Sequence, residues 1–583
     1  MKKTFRVLLI TAVVLSVIIQ SVSLAFAGDK NPLSIYVASD VHFRPDTVLP
    51  PIGEVQSLPG DPIFSHCNTK GMMTYEAGAI VDEFLSRFEQ SDSEILLIPG
   101  DISEDGFFEE HLAIAEKLLQ FKQRTGKRIF VIPGNHDIRT SKSKNRLDLE
   151  DFMDIYAEIG YDEAIEIHDT SASFTADLDS NYRLIGIDAC VYREDNAVIS
   201  ESLYSWIEKQ VQSAKADGKK MIAMVHHNVL EHFAIEGLAM GLLCVEDHRT
   251  FSSALADWGI KYVFTGHGHA NDISAAVSAK GNRIYDIETG SLITYPNAYR
   301  KVTFSDECVD VKTEYIRNID ISLLPDGYTE EQLDMIQNDF VGYSLGSMRS
   351  GMRSFTTTIP DLIEDLSESL KIKEGTASYA VLEELLETLK NTVELPLYDK
   401  ENTKEIDSVS EIAAFAGIEL PESDYVDLVD IGAGIYAGFY AGDEALSLHG
   451  STELKLLSNA LNAILVYALV NLPLSPVNTL LAELGAFDLY FLPSTSVYTL
   501  AAKIAYLRTA GEKIAIELIA PVAGGIINDV SDPVDLDVIL ESYSETSDSF
   551  QNEVPLTFFG ILKKLFEVFM ETVSNIFRFF LGK

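Results

Sequence analysis

Five short segments carry side chains able to hold a metal ion: Asp40-Val41-His42, Gly100-Asp101, Gly134-Asn135-His136-Asp137, His226-His227 and Gly266-His267-Gly268-His269. A lone histidine or a lone aspartate of this kind is ordinarily a satisfied polar residue. Five such segments in order overturn that reading. Imidazole nitrogens, carboxylates and one amide oxygen make a borderline-hard donor set, which suits Mn, Fe, Zn or Ni better than a thiolate-preferring metal. Asp-x-His can direct two ligands at one ion. Glycine before Asp101 and Asn135 lets the backbone turn tightly and come close. The set exceeds what one ion needs, so two ions roughly 3.5–4 Å apart with a shared carboxylate are the economical solution.

Each segment follows a short apolar run that reads as a buried strand: Leu33–Ala38, Ile95–Ile98, Arg128–Ile132, Met221–Val225 and Tyr262–Thr265, with Arg183–Ile187 as a further strand. Helical spacing lies between them, in Tyr75–Phe88, Glu109–Arg124 and Leu203–Ala216. The alternation predicts a layered α/β domain whose sites lie on loops after strands. Beyond Ile319 the character changes. Thr329–Phe340, Thr376–Val393, Tyr425–His449, Glu453–Leu472 and Val497–Asn528 read as helices, with Thr329 as an N-cap. Asn462 and Asn471 mark the apolar run Ala460–Leu472 as a bundle core rather than a membrane span. Asp529–Asn552 reads as a solvated linker. The predicted organisation is residues 1–27 as a signal peptide, 28–320 as the α/β domain, 321–552 as a helical domain and 553–583 as an amphipathic helix.

The five segments resemble the D-x-H, G-D, G-N-H-D/E, H and G-H-x-H blocks of the calcineurin-like metallophosphoesterase superfamily. The resemblance covers about residues 33–318, including Thr289-Gly-Ser-Leu and Tyr295-Pro296. It implies a metallophosphoesterase-type β-sandwich flanked by helices. It implies that Asp40, His42 and His269 hold one metal, that Asn135, His226 and His267 hold the second, and that Asp101 bridges. His226 is preferred to His227 because family members commonly use the first histidine of the pair. His136 becomes a general acid beside the leaving-group oxygen, with Asp137 orienting it. The implied reaction is phosphate-ester hydrolysis by hydroxide generated at the metal pair. A relationship to bacterial members near the class III cyclic-nucleotide phosphodiesterases favours a phosphodiester. The alternatives are a phosphomonoesterase or nucleotidase on the same site, or a non-catalytic surface binding protein. A monoester dianion needs another cationic contact, for which Arg44 and Arg139 are the candidates. The long segment between His42 and Gly100, which contains His66, Cys67, Lys70, Gly71-Met72-Met73 and Tyr75, reads either as a lid or substrate wall or as an exposed loop with a supporting helix.

The 45 Lys+Arg against 89 Asp+Glu give a net charge of −44, which argues against binding a nucleic-acid polymer. Lys2, Lys3 and Arg6, the apolar run Val7–Ile19 and Ala25-Phe26-Ala27 form a secretory signal pattern, so an extracytoplasmic location is expected. Cys67, Cys190, Cys244 and Cys308 lack metal or disulfide-scaffold spacing, and Cys190 reads as a small buried core residue. From Phe558 to Lys583, aromatic and aliphatic residues recur at helical spacing. That face suits either a membrane interface or docking on the protein's own domain. The oligomeric state has no signature in the sequence.

Overall fold

The computed structural model of the 583-residue chain describes residues 32–54, 63–64, 71–138, 146–192, 196–233, 236, 243–354, 372–398, 406–442, 450–483, 499–514, 516 and 537–541. The signal pattern, the segment 558–583, His66, Cys67, Lys70 and Arg139 lie outside the described residues.

Fifteen strands are described: β1 Leu33–Val37, β2 Ile95–Pro99, β3 Arg128–Ile132, β4 Glu166–Ile167, β5 Phe174–Asp177, β6 Tyr182–Ile187, β7 Cys190–Val191, β8 Asn196–Ala197, β9 Lys220–Val225, β10 Tyr262–Thr265, β11 Asp272–Val277, β12 Arg283–Glu288, β13 Ala298–Phe304, β14 Cys308–Tyr315 and β15 Val538–Glu541. They form a six-stranded sheet in the order β15-β14-β13-β1-β2-β3, a seven-stranded sheet in the order β11-β12-β10-β9-β6-β5-β4, and the ribbon β7-β8. The strands β1, β2 and β3 run parallel, as do β6, β9, β10 and β12. Parallel strands deliver their following loops to one end of a sheet, which is why segments far apart in the chain can meet.

Alternation along the strands explains their unbroken apolar runs. Leu184, Ile222, Met224, Tyr262 and Phe264 face the core between the sheets, with Ile35, Leu97 and Phe130 from the other layer. Their neighbours Ile185, Ile187, Ala223, Val225 and Val263 face outward into a second core. That core is closed by the helices Glu201–Ala216 and His248–Asp257, so the sheet is buried on both faces. Helices Ala77–Gln90, Phe108–Thr125 and Leu149–Ile155 are α1, α2 and α3, and the two outer ones are α4 and α5. The α1 residues Phe84 and Phe88 pack on Tyr36, which alternates with Ile35 along β1, so this helix covers the other face of the first sheet. Each large apolar side chain so buried contributes about 1.5–3 kcal/mol.

The second half is helical: α6 Glu330–Asn338, α7 Phe340–Ser354, α8 Ala377–Thr392, α9 Val409–Ala416, α10 Leu428–Ala441, α11 Thr452–Leu469, α12 Leu474–Glu483 and α13 Leu500–Ile514. Thr329 caps α6 in a reciprocal pair with Gln332. A separate core of Leu382, Ile412, Ile431, Leu456, Ile464 and Leu507 holds the bundle together. Asn462 donates to the Arg508 carbonyl at 3.2 Å inside it. No helix among the described residues is long and apolar enough to cross a membrane.

Three expectations change. The predicted linker Asp529–Asn552 contains β15, which pairs antiparallel with β14, so the chain returns to the first sheet after the bundle. Alternating Val538 and Leu540 is too short a signal to see among Asp and Ser. Helices α7, α9 and α12 were not expected, because glycine, serine and proline dilute the apolar spacing of α7 and α12 and α9 is only eight residues long. Cys190 is half-buried rather than in the core; it faces the loop of His227, with sulfur 3.9 Å from Nδ1. Cys190, Cys244 and Cys308 are free thiols.

Candidate metal centre

The loops after β1, β2, β3, β9 and β10 converge, and backbone hydrogen bonds stitch them together. His42 N donates to Asp101 O at 2.9 Å, Phe43 N to Ile102 O at 2.9 Å and Gly266 N to His226 O at 3.0 Å. The Thr289–Leu292 segment braces the first loop: Ser291 Oγ donates to Asp40 O at 2.8 Å and Leu292 N to Ser39 O at 3.1 Å.

Asp40, His42, Asp101, Asn135, His136, His226, His267 and His269 are all buried around one centre. Three sets of ligand atoms lie close enough to grip an ion: Asp40 with His42 and His269, Asp101 with His226 and His267, and His42 with Asp101 and His136. Asp101 Oδ2 stands between the first two sets, 3.7 Å from His42 Nε2 and 3.4 Å from His226 Nε2. Asn135 Oδ1 lies 3.0 Å from His226 Nε2. The structure therefore brings together all seven residues read from the sequence as metal ligands.

The donor chemistry fits cations. His226 Nδ1 donates to the Pro99 carbonyl at 2.9 Å, which fixes the tautomer and aims the Nε2 lone pair at Asp101 and Asn135. His42 Nε2 and His269 Nε2 face each other at 3.1 Å, with Asp40 Oδ1 3.4 Å from His269 Nε2. Two ring nitrogens and a carboxylate pointed at one buried spot make a ready-made ligand set. Behind His42, Nδ1 lies 3.1 Å from Glu104 Oε2. His227 belongs to none of these sets; its ring packs 4.1 Å from that of His267.

Five of these candidate ligands take a conformation L-residues seldom adopt: φ is 49° at Asp40, 42° at His42, 46° at Asp101, 71° at His267 and 61° at His269. Strain gathered on ligating residues is a mark of a functional site. Gly134 matters for the space it leaves, since a Cβ there would meet Asp101 Oδ1 at 2.2 Å and Asp101 N at 2.4 Å. Gly100, at φ 100°, passes so close to His226 that a Cβ would meet its Nδ1 at 2.5 Å.

Burial pushes the Asp101 carboxyl up, but the His226 and His136 charges outweigh it and hold the group well below its ordinary value. At Asp40, burial also opposes ionisation, yet the His269 hydrogen bond and charge bring the group to about 2. Both are carboxylates near neutrality, as metal ligation requires.

The role read for Asp137 is corrected. Its carboxylate accepts from Ile102 N at 3.1 Å, Ser103 N at 2.8 Å, Ser103 Oγ at 3.0 Å and Gly134 N at 2.9 Å. It ties the Asp101 turn to the Asn135 turn. The His136 ring is instead held by its Nδ1 donating to the Glu104 carbonyl at 2.5 Å, while His136 N donates to Asp101 Oδ1 at 2.8 Å. Glu104 was missed because its contribution here is a backbone oxygen, which leaves no trace in residue type.

Arg44 is paired with Asp105 and, at 2.7 Å, with Glu110. His232 and His248, for which the sequence suggests no role, lie outside the ligand sets. His232 bonds Asp272 at 2.6 Å in a buried network behind the last ligand loop, and His248 lies 3.4 Å from Glu231. A second missed feature comes from the helical half: the Tyr440 ring stands 6.0 Å from that of His269.

Residues 33–271 match the calcineurin-like phosphoesterase family. An Arcobacter nitrofigilis protein described as a probable glycerophosphodiester phosphodiesterase is 27% identical over 154 residues, covering 25% of this chain and 48% of that protein. This chain thus spans about half the length of that relative. Among solved structures, a dimetal phosphatase from Danio rerio is 12% identical, covers 49% of this chain and 97% of its own, and has a TM-score of 0.37. A purple acid phosphatase from yellow lupin seeds is 11% identical, covers 48% and 51%, and has a TM-score of 0.32.

Proposed function

We propose, from the premise that residues 33–271 are a calcineurin-like phosphoesterase domain, that the chain is a two-metal hydrolase of phosphodiesters. One observation carries this reading: the Asp101 carboxylate stands between two sets of inward-facing ligands. Asp40, His42 and His269 would hold one ion and Asn135, His226 and His267 the other, with Asp101 shared. Two such ions supply positive charge for phosphate oxygens and acidify a water. The protein's own groups do the rest. The Pro99 carbonyl and the Glu104 carboxylate orient the ligand rings. The Glu104 carbonyl fixes the His136 ring at Nδ1, leaving Nε2 to carry the proton that the departing oxygen takes.

Arg44 gives no support to a monoester, and the other candidate cation, Arg139, lies outside the described residues. The cation two residues beyond His42 is already committed to Asp105 and Glu110, so it is not free to meet the second charge of a monoester dianion. Glycerophosphodiesters are one class to screen, given the name of the Arcobacter relative. The Lys2–Ala27 pattern supports an extracytoplasmic enzyme, which N-terminal sequencing of exported protein tests.

The test is metal content together with turnover of bis(4-nitrophenyl) phosphate against 4-nitrophenyl phosphate. We expect about two metals per chain, faster diester turnover, and loss of turnover in Asp101→Ala. Faster monoester turnover moves the reading to a phosphatase or nucleotidase; no turnover with any of Mn, Fe, Zn or Ni sinks the enzyme. His136→Ala separates the acid from the ions. It should lower kcat roughly a hundred- to ten-thousand-fold for an alkyl ester. The loss should be far smaller for a nitrophenyl ester, whose leaving oxygen needs no proton.

A further inference from the structure

The last turn of α10 touches the candidate centre. Asn271 follows His269 by two residues, is fully buried, and donates both its N–H, at 3.2 Å, and its Nδ2, at 3.0 Å, to the Tyr440 carbonyl. The loop bearing a metal ligand is thereby bonded to the end of a helix from the other half of the chain. The Tyr440 ring meets the His269 ring at 6.0 Å and 51°. Tyr436 lies one turn back, with its hydroxyl 2.9 Å from that of Tyr440 and its ring 4.5 Å away. Phe439 locks the same turn by packing on Phe233 at 5.7 Å, edge to face.

The other end of α10 is equally fixed. Arg353 on α7 bonds Asp427, its N-cap, at 2.8 Å, and Arg349 pairs with Asp430 at 2.9 Å. Ser344 on α7 donates to Asn297 of the sandwich at 2.6 Å. The pair is thus fixed beside the candidate metal-binding loop, with Tyr440 buried and Tyr436 partly exposed. The ions would take the phosphate, so what remains for two tyrosine rings is the organic part of the ester.

We propose that the last turn of α10 is a wall of the substrate site, in which Tyr436 and Tyr440 seat a flat, apolar substituent of the phosphate ester. The helical half is then a specificity element of the phosphoesterase domain. The proposal rests on the phosphoesterase reading and also narrows it, to esters bearing an aromatic group.

Binding, rather than turnover, tests it. Diphenyl phosphate and dimethyl phosphate carry the same charge and differ only in the rings. With the full chain loaded with Mn2+, calorimetry should show diphenyl phosphate binding about tenfold tighter, the size of one or two aromatic contacts. Tyr440→Ala and Tyr436→Ala should each remove most of that preference while dimethyl phosphate affinity stays within about twofold. Tyr440→Phe should keep it. No preference in the unaltered chain overturns the wall, and so does a preference that survives both alanine variants. Equal weakening of the two ligands also overturns it, because it marks a structural role. Should Tyr440→Ala fail to fold, the half-buried Tyr436 decides alone. A chain that keeps the preference but hydrolyses no phosphoester would leave the wall standing and remove the enzyme.

Discussion

Asp101 and His136 show how much depends on single atoms. One carboxylate oxygen faces two histidines while the other accepts the His136 backbone N–H, so a shift of the Asp101 carboxylate would also move the His136 backbone. The residue types were legible because imidazole and carboxylate in ordered blocks have few other reasons to occur. The left-handed backbone at five ligands was not, since φ is set by loops closing between two sheets. Nor was His111, which lies beneath the site with Nε2 donating to the Asp137 carbonyl at 2.9 Å and Nδ1 accepting from Tyr156 at 2.9 Å. Burial lowers this imidazole to about 4, and the Asp137 carbonyl offsets only part of the effect. The folded ring stays neutral while the unfolded one protonates near 6.5. Its contribution to stability is therefore complete above that pH and lost on acidification toward 4, by up to about 3 kcal/mol. Denaturation midpoints measured from pH 7 to 4 should fall more steeply in the wild type than in His111→Gln. Parallel profiles would refute the assignment.

Loops and strands set the tolerance of the site. Gly134 lies against the Asp101 backbone and carboxylate, neither of which can retreat without moving the proposed shared ligand. Gly134→Ala should leave the sandwich folded by circular dichroism but lower bound metal from about two per chain to one or fewer, with turnover lost in proportion. Retention of both metals would show that the Asp101 turn gives way. The strands leading to these loops were readable as apolar runs because both faces of the sheets are covered. The strands on the far side of the site were harder. β13 reads Ala-Tyr-Arg-Lys-Val-Thr-Phe, yet its Arg300 is fully buried, donating to the Glu288 carbonyl at 2.9 Å. A buried arginine serving backbone oxygens breaks the pattern that sequence reading depends on.

At the scale of the molecule, the change of character near residue 320 was legible, but the interdependence of the halves was not. Glu76, fully buried in the sandwich, accepts hydrogen bonds from Tyr328 at 2.8 Å and from Tyr343 on α7 at 2.6 Å. A chain ending at residue 327 removes both phenols and strips the edge of β14. Taking two donors from a buried acceptor costs about 1–3 kcal/mol. The shortened protein should therefore melt several degrees lower or collect in the insoluble fraction; a melting midpoint equal to that of the full chain would argue for autonomy of the sandwich. The return of β15 to β14 has a mechanical side as well. With Cys308 opposite Glu541 and Val311 opposite Val538, the segment after the bundle re-enters the structure on the first sheet. Tension applied to the chain beyond Glu541 is carried into the sandwich through that ladder, while the bundle hangs beside the line of force as an unloaded branch. A molecule pulled by its tail would keep α10 seated on His269 until the β14–β15 ladder unzipped.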